Sequence, residues 1–202
     1  AGRLSPLRKP NNLDPPKLDT ASLRVLPDGW QWTSINGICE ERRGITYGVI
    51  KLGAHRDQGV ATLRSSDVKW LRIDLSSVKR ISPEIADRYR RTFLRGGEVL
   101  VTVRGSLGGV AYVPANCKGF NLSREVAVLP PAPEINAEWL AYVIGSPEIQ
   151  KVLAGLVRGV AYSGVNIEDL KQVAIPVPPA SEQEQIVAQV ETLFQKADAV
   201  EG

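Results

Sequence analysis

The 202-residue chain contains no methionine, one histidine (His55) and two cysteines (Cys39 and Cys117). A lone histidine and two distant thiols do not make the closely spaced ligand sets of a zinc site. Two cysteines are also too few for the disulfide framework of a small secreted domain. They read as packed free thiols in a reducing cytosol. The longest stretch without a charged residue, Gly105–Cys117, is 13 residues, well short of the ~20 that span a bilayer. No basic start followed by an apolar core suggests a signal peptide, so a cytoplasmic protein with no membrane partner is expected. A chain that starts at Ala1 and lacks methionine is expected to be a processed or excised piece of a longer protein. What is present is ordinary for a globular protein, with 43% apolar and 23% charged residues. At this length a hydrophobic core needs no metal or disulfide staple.

The net charge of +3 conceals a strong asymmetry. Residues 1–41 balance 5 basic against 5 acidic groups; residues 42–124 carry 16 Lys/Arg against 6 Asp/Glu; residues 125–202 carry 4 against 11. Of the 16 cations in the middle block, 12 are arginine, whose planar fork matches phosphate oxygens and guanine edges. Such a block predicts a surface for a polyanion. The alternative is a solvated face balanced by the acidic C-terminal third.

Periodicity and turn chemistry divide the chain. Residues 1–24, with Pro6, Pro10, Pro15 and Pro16, read as a linker. A mixed domain is expected over 25–180. Its strands are expected at Trp30–Trp32, Ile45–Ile50, Gly59–Arg64, Val99–Arg104, Gly109–Val113 and Glu125–Leu129. Ser82-Pro83 and Ser146-Pro147 are helix starts, and Asn166 caps a short turn through Leu170. Val173–Val177 is an edge strand, since Pro176 cannot donate to a central ladder. Gly-Val-Ala recurs at 59–61, 109–111 and 159–161, but the flanks differ and no repeat architecture follows. Over 181–202, Ser181-Glu182-Gln183-Glu184 reads as a capping box. Ile186, Val190, Leu193, Ala197 and Val200 then fall at steps of 4, 3, 4 and 3, a heptad seam for a partner helix that Val187 and Phe194 widen. Packing of this helix on its own domain is the alternative.

Catalytic patterns fail on their chemistry. Asp14-Pro15-Pro16-Lys17 puts lysine where an amino-methyltransferase stacks an aromatic ring on a flipped adenine. Asp28 with Glu40 or Glu41 makes a poor magnesium-nuclease triad. No serine sits in a nucleophile elbow. Arg104-Gly105-Ser106-Leu107-Gly108-Gly109 could cradle a phosphate on backbone N–H groups or be a plain tight turn. It lacks the Lys-Ser/Thr ending of a nucleotide-binding loop.

Several strings, taken in order, resemble the target recognition domain of a type I restriction–modification specificity subunit. They are Leu26-Pro27-Asp28-Gly29-Trp30-Gln31-Trp32, Gly97–Gly108, Asn121-Leu122-Ser123-Arg124, Ser146-Pro147 with Gln150, and Ile175-Pro176-Val177-Pro178-Pro179 followed by Glu182-Gln183 and Ile186-Val187. The last is the most specific. The resemblance implies an α+β fold: a mixed-sheet recognition domain with short helices, then a long coiled-coil-forming C-terminal helix, here the second recognition domain with that helix cut short. It implies a non-enzymatic module that reads one half of a bipartite site on double-stranded DNA. It also implies partners: methyltransferase subunits carrying S-adenosylmethionine and a restriction subunit using ATP and magnesium, none of these cofactors held by this chain. A second copy could pair through the C-terminal helix. A purely protein-binding assembly module, a recognition domain detached from an adenine DNA methyltransferase, and an enzyme fragment stand as alternatives.

For such a module the expected phosphate contacts are Arg42, Arg43, Lys51, Arg104, Ser106 and Arg124. Base reading is expected from the polar loop Lys51–Gln58, chiefly Arg56 and Gln58, with Arg64 beside it, because Arg grips guanine and Gln adenine through two hydrogen bonds each. Arg88, Arg90 and Arg91 are set aside for pairing with acids. Gly159–Asn166, with Tyr162 and Ser163, is a further loop that could face DNA. The partner-helix interface is expected at Ile186, Val190, Leu193 and Ala197.

Overall fold

A computed structural model describes residues 23–158 and 163–201. Almost all of the expected linker, the Asp14–Lys17 string and the third Gly-Val-Ala copy with Tyr162 lie outside the described residues. In chain order the strands and helices are β1 (Gln31–Ser34), β2 (Thr46–Tyr47), β3 (Val60–Leu63), β4 (Val68–Lys69), β5 (Arg72–Ile73), β6 (Lys79–Ile81), α1 (Pro83–Asp87), β7 (Val99–Thr102), β8 (Val110–Tyr112), β9 (Asn121–Leu122), β10 (Val126–Leu129), α2 (Ala137–Gly145), α3 (Pro147–Gly155), α4 (Ile167–Gln172), β11 (Ala174–Val177) and α5 (Ala180–Glu201).

The centre is a four-stranded sheet in the order β2-β10-β7-β8. Its strands are antiparallel neighbours, with Val126 opposite Thr102 and Ala127 opposite both Val101 and Tyr47. Side chains alternate across it. Val99, Val101, Ala127 and Leu129 pack beneath Trp139, Leu140 and Ile144 of α2, while Leu100, Val126 and Val128 pack on the other face with Leu63, Leu94 and Leu122. Burial on both faces explains why β7 and β10 read as unbroken apolar runs rather than alternating ones. Each such valine, leucine or isoleucine side chain removed from water contributes roughly 1.5–3 kcal/mol.

Around this core sit a three-stranded sheet β6-β3-β9, the hairpin β4-β5, and the pair β1-β11. Pro176 lies opposite Trp32 in that pair, so its missing N–H falls on an edge strand, as its chemistry requires. Ser82 caps α1, Ser146 caps α3 and Asn166 caps α4, each side chain accepting a first-turn N–H. Buried Asn121 ties β9 to the end of α1, accepting from Thr92 Oγ1 at 2.6 Å and donating to the Ala86 carbonyl at 3.3 Å. Gly48 passes so close to β9 that a Cβ would lie 1.9 Å from the Leu122 carbonyl oxygen.

The capping box is a correction. Helix α5 starts at Ala180, the Pro179 carbonyl accepts from both Glu182 and Gln183 N–H, and Ser181 lies exposed within the first turn. Glu182 instead accepts from the Trp30 indole at 3.1 Å. Gln183 is buried and bridges α5 to the start of α2, accepting from Asn136 N–H at 2.8 Å and donating to the Pro178 carbonyl at 3.1 Å.

The seam also divides. Val187 is buried, Ile186 packs against the main core, and Phe194 meets Trp70 edge-on at 6.0 Å and Tyr142 at 6.2 Å between ring centroids. Part of the expected partner face is thus spent on the chain's own domain. Val190 is half-buried, Ala197 is exposed and Leu193 is 64% exposed. The Val200 side chain lies outside the described residues.

Candidate nucleic-acid interface

The sheet register sorts the basic block into two groups. Because β10 is antiparallel to both β7 and β2, the C-terminal ends of β2 and β7 and the N-terminal end of β10 lie together. The next residues along each strand are therefore neighbours at one edge: Gly48–Lys51, Val103–Gly109 and Arg124-Glu125. Arg124 N–H donates to the Val49 carbonyl at 2.8 Å, and Val103 and Arg104 N–H both donate to the Glu125 carbonyl. The parallel pair β3-β9 brings Arg64 and Ser65 to the same edge, since Ser123 N–H donates to the Leu63 carbonyl at 2.8 Å. A bridge between Arg104 and Gly164, with Val165 N–H donating to the Val103 carbonyl at 2.8 Å, adds Arg158 and Gly164.

Four of the expected contacts gather here. Lys51, Arg104, Ser106 and Arg124 are exposed, and the three cations make no ion pair among the described residues. The loop 104–109 is anchored from behind. Glu125 accepts from Ser65 Oγ at 2.9 Å, and Ser65 Oγ accepts from Ser106 N–H at 3.3 Å. Gly109 N–H donates to Thr102 Oγ1 at 2.9 Å. With Arg104 N–H on the Glu125 carbonyl, three of its N–H groups are consumed internally, which favours side-chain rather than backbone contact with a phosphate. Gly105 has φ +70°, and a Cβ there would sit 2.5 Å from Ser65 Oγ. Only glycine lets the loop lie this close to Ser65.

Arg64 reaches the edge but is committed. Its fork donates to Asp67 at 3.1 and 2.9 Å and to the Ser77 carbonyl at 2.8 Å. The Asp67 hydrogen bonds push its pKa up. The expectation that Arg64 reads a base is therefore corrected: its donors already brace the turn after β3. Arg56 and Gln58 are exposed in the loop between Val49 and β3, where Arg56 N–H donates to the Arg80 carbonyl at 3.1 Å. That loop starts at the edge and ends at the far end of β3.

Arg42 and Arg43 are corrected more sharply. They precede β2 and so lie at the opposite end of the sheet, beside the start of β7. Arg43 is 8% exposed and pairs with buried Glu98 at 2.5 Å, its second arm donating to the Phe93 carbonyl at 2.9 Å. Buried in this way, Arg43 cannot meet a phosphate. Arg42 stays exposed, but at that other end. The block is not one continuous face: its local sequence clustering is undone by strand direction.

Two residues at the edge escaped sequence reading. Tyr47 and Arg158 line a cleft of about 280 Å³ with Arg104 and Asn166. Tyr47 looked like one more strand residue, and Arg158 lies in the acidic third, paired loosely with Asp169 at 3.5 Å. Nothing in their local sequence marks them, because pairing distant in the chain brings them here: Tyr47 lies opposite Ala127, and Arg158 bridges Gly164, which also bridges Arg104. Among the described residues no three His, Cys, Asp or Glu side chains converge to hold a metal, and no helix is long and apolar enough to cross a membrane.

A mixed-sheet domain that presents a cationic edge, with a C-terminal helix fastened to it by Gln183, Val187 and Phe194, carries the electrostatic footprint of a nucleic-acid recognition module. The comparisons make this specific. Residues 27–201 match the type I restriction modification DNA specificity domain, and the chain belongs to that family. It is 32% identical over 178 residues to the type I restriction enzyme EcoBI specificity subunit of Escherichia coli, covering 88% of this chain and 37% of that protein. The HsdS subunit from Thermoanaerobacter tengcongensis superimposes with a TM-score of 0.61 at 25% identity, over 88% of this chain and 40% of that one. The S subunit of a type I restriction–modification system from M. genitalium shares the fold, with a TM-score of 0.56 at 17% identity, over 88% and 42% of the two chains. The chain therefore spans about two-fifths of the length of these relatives.

Proposed function

We propose that residues 25–180 read one half of a bipartite site on double-stranded DNA, and that α5, with residues 181–202, is the handle through which catalytic subunits are recruited. The observation that carries this is the edge where Lys51, Arg104 and Arg124 stand exposed and make no ion pair among the described residues, while Glu125 and Asp67 are occupied by Ser65 and Arg64. A duplex meeting this edge finds guanidinium and ammonium groups for its phosphates, which fix register, and the loop 51–58 for its base edges. Base methylation and cleavage, with S-adenosylmethionine, ATP and magnesium, then belong to methyltransferase and restriction subunits. Exposed Leu193 and Ala197 favour the assembly role as a companion to DNA binding rather than a replacement for it.

Methylome sequencing with and without the parent gene tests this. A split motif, modified on both halves, is expected to vanish on deletion. An unchanged methylome in an otherwise modification-competent cell would contradict the reading.

A further inference from the structure

Arg104 and Arg158 are the charged side chains in the lining of the Tyr47 cleft, and no carboxylate lines it. Backbone pairing fixes how the two arginines stand, because Gly164 bridges both. Arg158 and Gly164 exchange N–H···O bonds of 3.0 and 3.1 Å, while Arg104 lies opposite Gly164 with Val165 N–H on the Val103 carbonyl. The first is a hydrogen-bonded antiparallel pair and the second a non-hydrogen-bonded one, with Cα separations of about 5.5 and about 4.5 Å. Directly opposed residues share a face. Both arginines therefore stand on one side of the row Arg104–Gly164–Arg158, roughly 10 Å apart at Cα. Val103 and Val165 belong to the core, so strand alternation turns Arg104 and Gly164 outward. Between the arginines lies the glycine. A Cβ on Gly164 would sit 2.7 Å from the Val103 carbonyl oxygen and 2.8 Å from Arg104 Cγ. The stem of Arg104 thus leans over Gly164, the residue that separates it from Arg158, and the missing side chain leaves a trough between the two.

The acids nearby do not fill this trough. Glu168 is held by Lys171 at 2.8 Å. Asp169 reaches Arg158 Nη2 at 3.5 Å, longer than a charge-assisted hydrogen bond, and an exposed pair of that kind is weak. A guanidinium fork on a phosphate is bidentate and stronger. Asn166, also in the lining, spends its side-chain oxygen on Glu168 N–H at 3.0 Å, which leaves its NH2 as a donor. Tyr47 is exposed at the wall. We propose that Arg104 and Arg158 close from either side of Gly164 on a single phosphodiester group of the bound duplex. This rests on the DNA-binding reading and adds Arg158, from the acidic third of the chain, as a phosphate contact that shares its anion with Arg104.

A methylphosphonate scan tests this. The half-site duplex that the chain selects from a random library is made as a set, each member carrying one uncharged methylphosphonate in place of one phosphate. The full 202-residue chain and the variants Arg104→Gln and Arg158→Gln are titrated against the set at fixed salt. Each variant is expected to bind the unmodified duplex on the order of tenfold more weakly than the parent, the loss of a hydrogen-bonded contact to a charged group. Both defects should vanish at one and the same methylphosphonate position, where variants and parent bind alike. An Arg158→Gln variant that binds the unmodified duplex as the parent does, or defects that vanish at two different positions, would overturn the proposal. An unchanged thermal midpoint shows that the variant is folded; should Arg158→Gln lower it, Arg158→Lys, which keeps the charge without the fork, takes its place in the scan. If the parent chain binds no duplex in a salt-dependent way, the DNA-binding reading itself fails. If Arg104→Gln weakens binding and Arg158→Gln does not, that reading stands and the shared seat alone is lost.

Discussion

At the scale of single residues, burial decides chemistry. Arg43 resembles every other arginine of the basic block in sequence, yet it is enclosed with Glu98 and does structural work. Removing one partner would leave the other charge buried and unpaired. Arg43→Ala is therefore expected to destabilise the fold by about 3–5 kcal/mol, read as a fall in the urea midpoint, whereas Arg42→Ala should shift it by less than ~0.5 kcal/mol. Cys39 makes the same point through its proton. Burial, with Glu40 adding to it, pushes its thiol from 9.0 up to about 12. The folded state thus keeps a proton that the unfolded chain loses first, so stability falls as pH rises through this window. The expected contribution is a loss of about 1.4 kcal/mol per pH unit between about pH 9 and 12. It is measured as the difference in pH slope between the parent and Cys39→Ala. A matching slope in the two proteins would mean that the thiol ionises freely in the fold. Packed, free thiols were legible from composition. The Arg43–Glu98 pair was not, because the two residues are 55 positions apart and meet only through strand register.

At the scale of elements, local chemistry was legible where it is self-contained. Ser82-Pro83 and Ser146-Pro147 announced their helices because a cap and its first-turn N–H groups lie within three residues; Asn166 announced its cap, and the short turn expected there extends to the helix Ile167–Gln172. Strands of two residues, β4, β5 and β9, left no signal, since two positions cannot show a period. The hairpin β4-β5 turns through Trp70 and Leu71, the latter at φ 57°. Leu71 N–H bonds the Val110 carbonyl at 2.7 Å and the Trp70 indole bonds the Gly145 carbonyl at 2.9 Å. The same hairpin carries the ring that meets Phe194. Helix α5 is thus fastened at two places, by Gln183 near its start and by Phe194 three turns on. Gln183→Ala leaves Asn136 N–H and the Pro178 carbonyl without a partner and is expected to cost about 1–3 kcal/mol, measured by denaturant unfolding. Leu193→Lys touches neither fastening. It should leave the unfolding midpoint within ~0.5 kcal/mol of the parent while abolishing co-purification with a methyltransferase subunit. Normal co-purification would remove Leu193 from the partner face.

At the scale of the whole molecule, charge asymmetry was visible in the sequence but its geometry was not. The middle block gathers 16 cations, and strand direction then deals them to opposite ends of one sheet. Lys51, Arg104 and Arg124 arrive at the edge from three separate chain segments, joined there by Tyr47 and Arg158. Phosphate contacts and base contacts should separate on mutation. Arg104→Ala is expected to weaken binding of all sequences alike, whereas Arg56→Ala should lower discrimination at one base pair by ~1–3 kcal/mol. A competition assay over single-base variants of the selected half-site reads both. Uniform weakening by Arg56→Ala would reassign it to the backbone.

The claim that most depends on the fold is that the Lys51–Arg104–Arg124 edge neutralises phosphates. Its direct test is a salt titration of duplex affinity for the parent and for a variant carrying Lys51→Gln, Arg104→Gln and Arg124→Gln. The account predicts a steep linear fall of log affinity with log salt for the parent, and a slope shallower by about 2.7, or ~0.9 for each lost contact, in the variant. A parent affinity indifferent to salt, or a variant slope equal to the parent's, would contradict it.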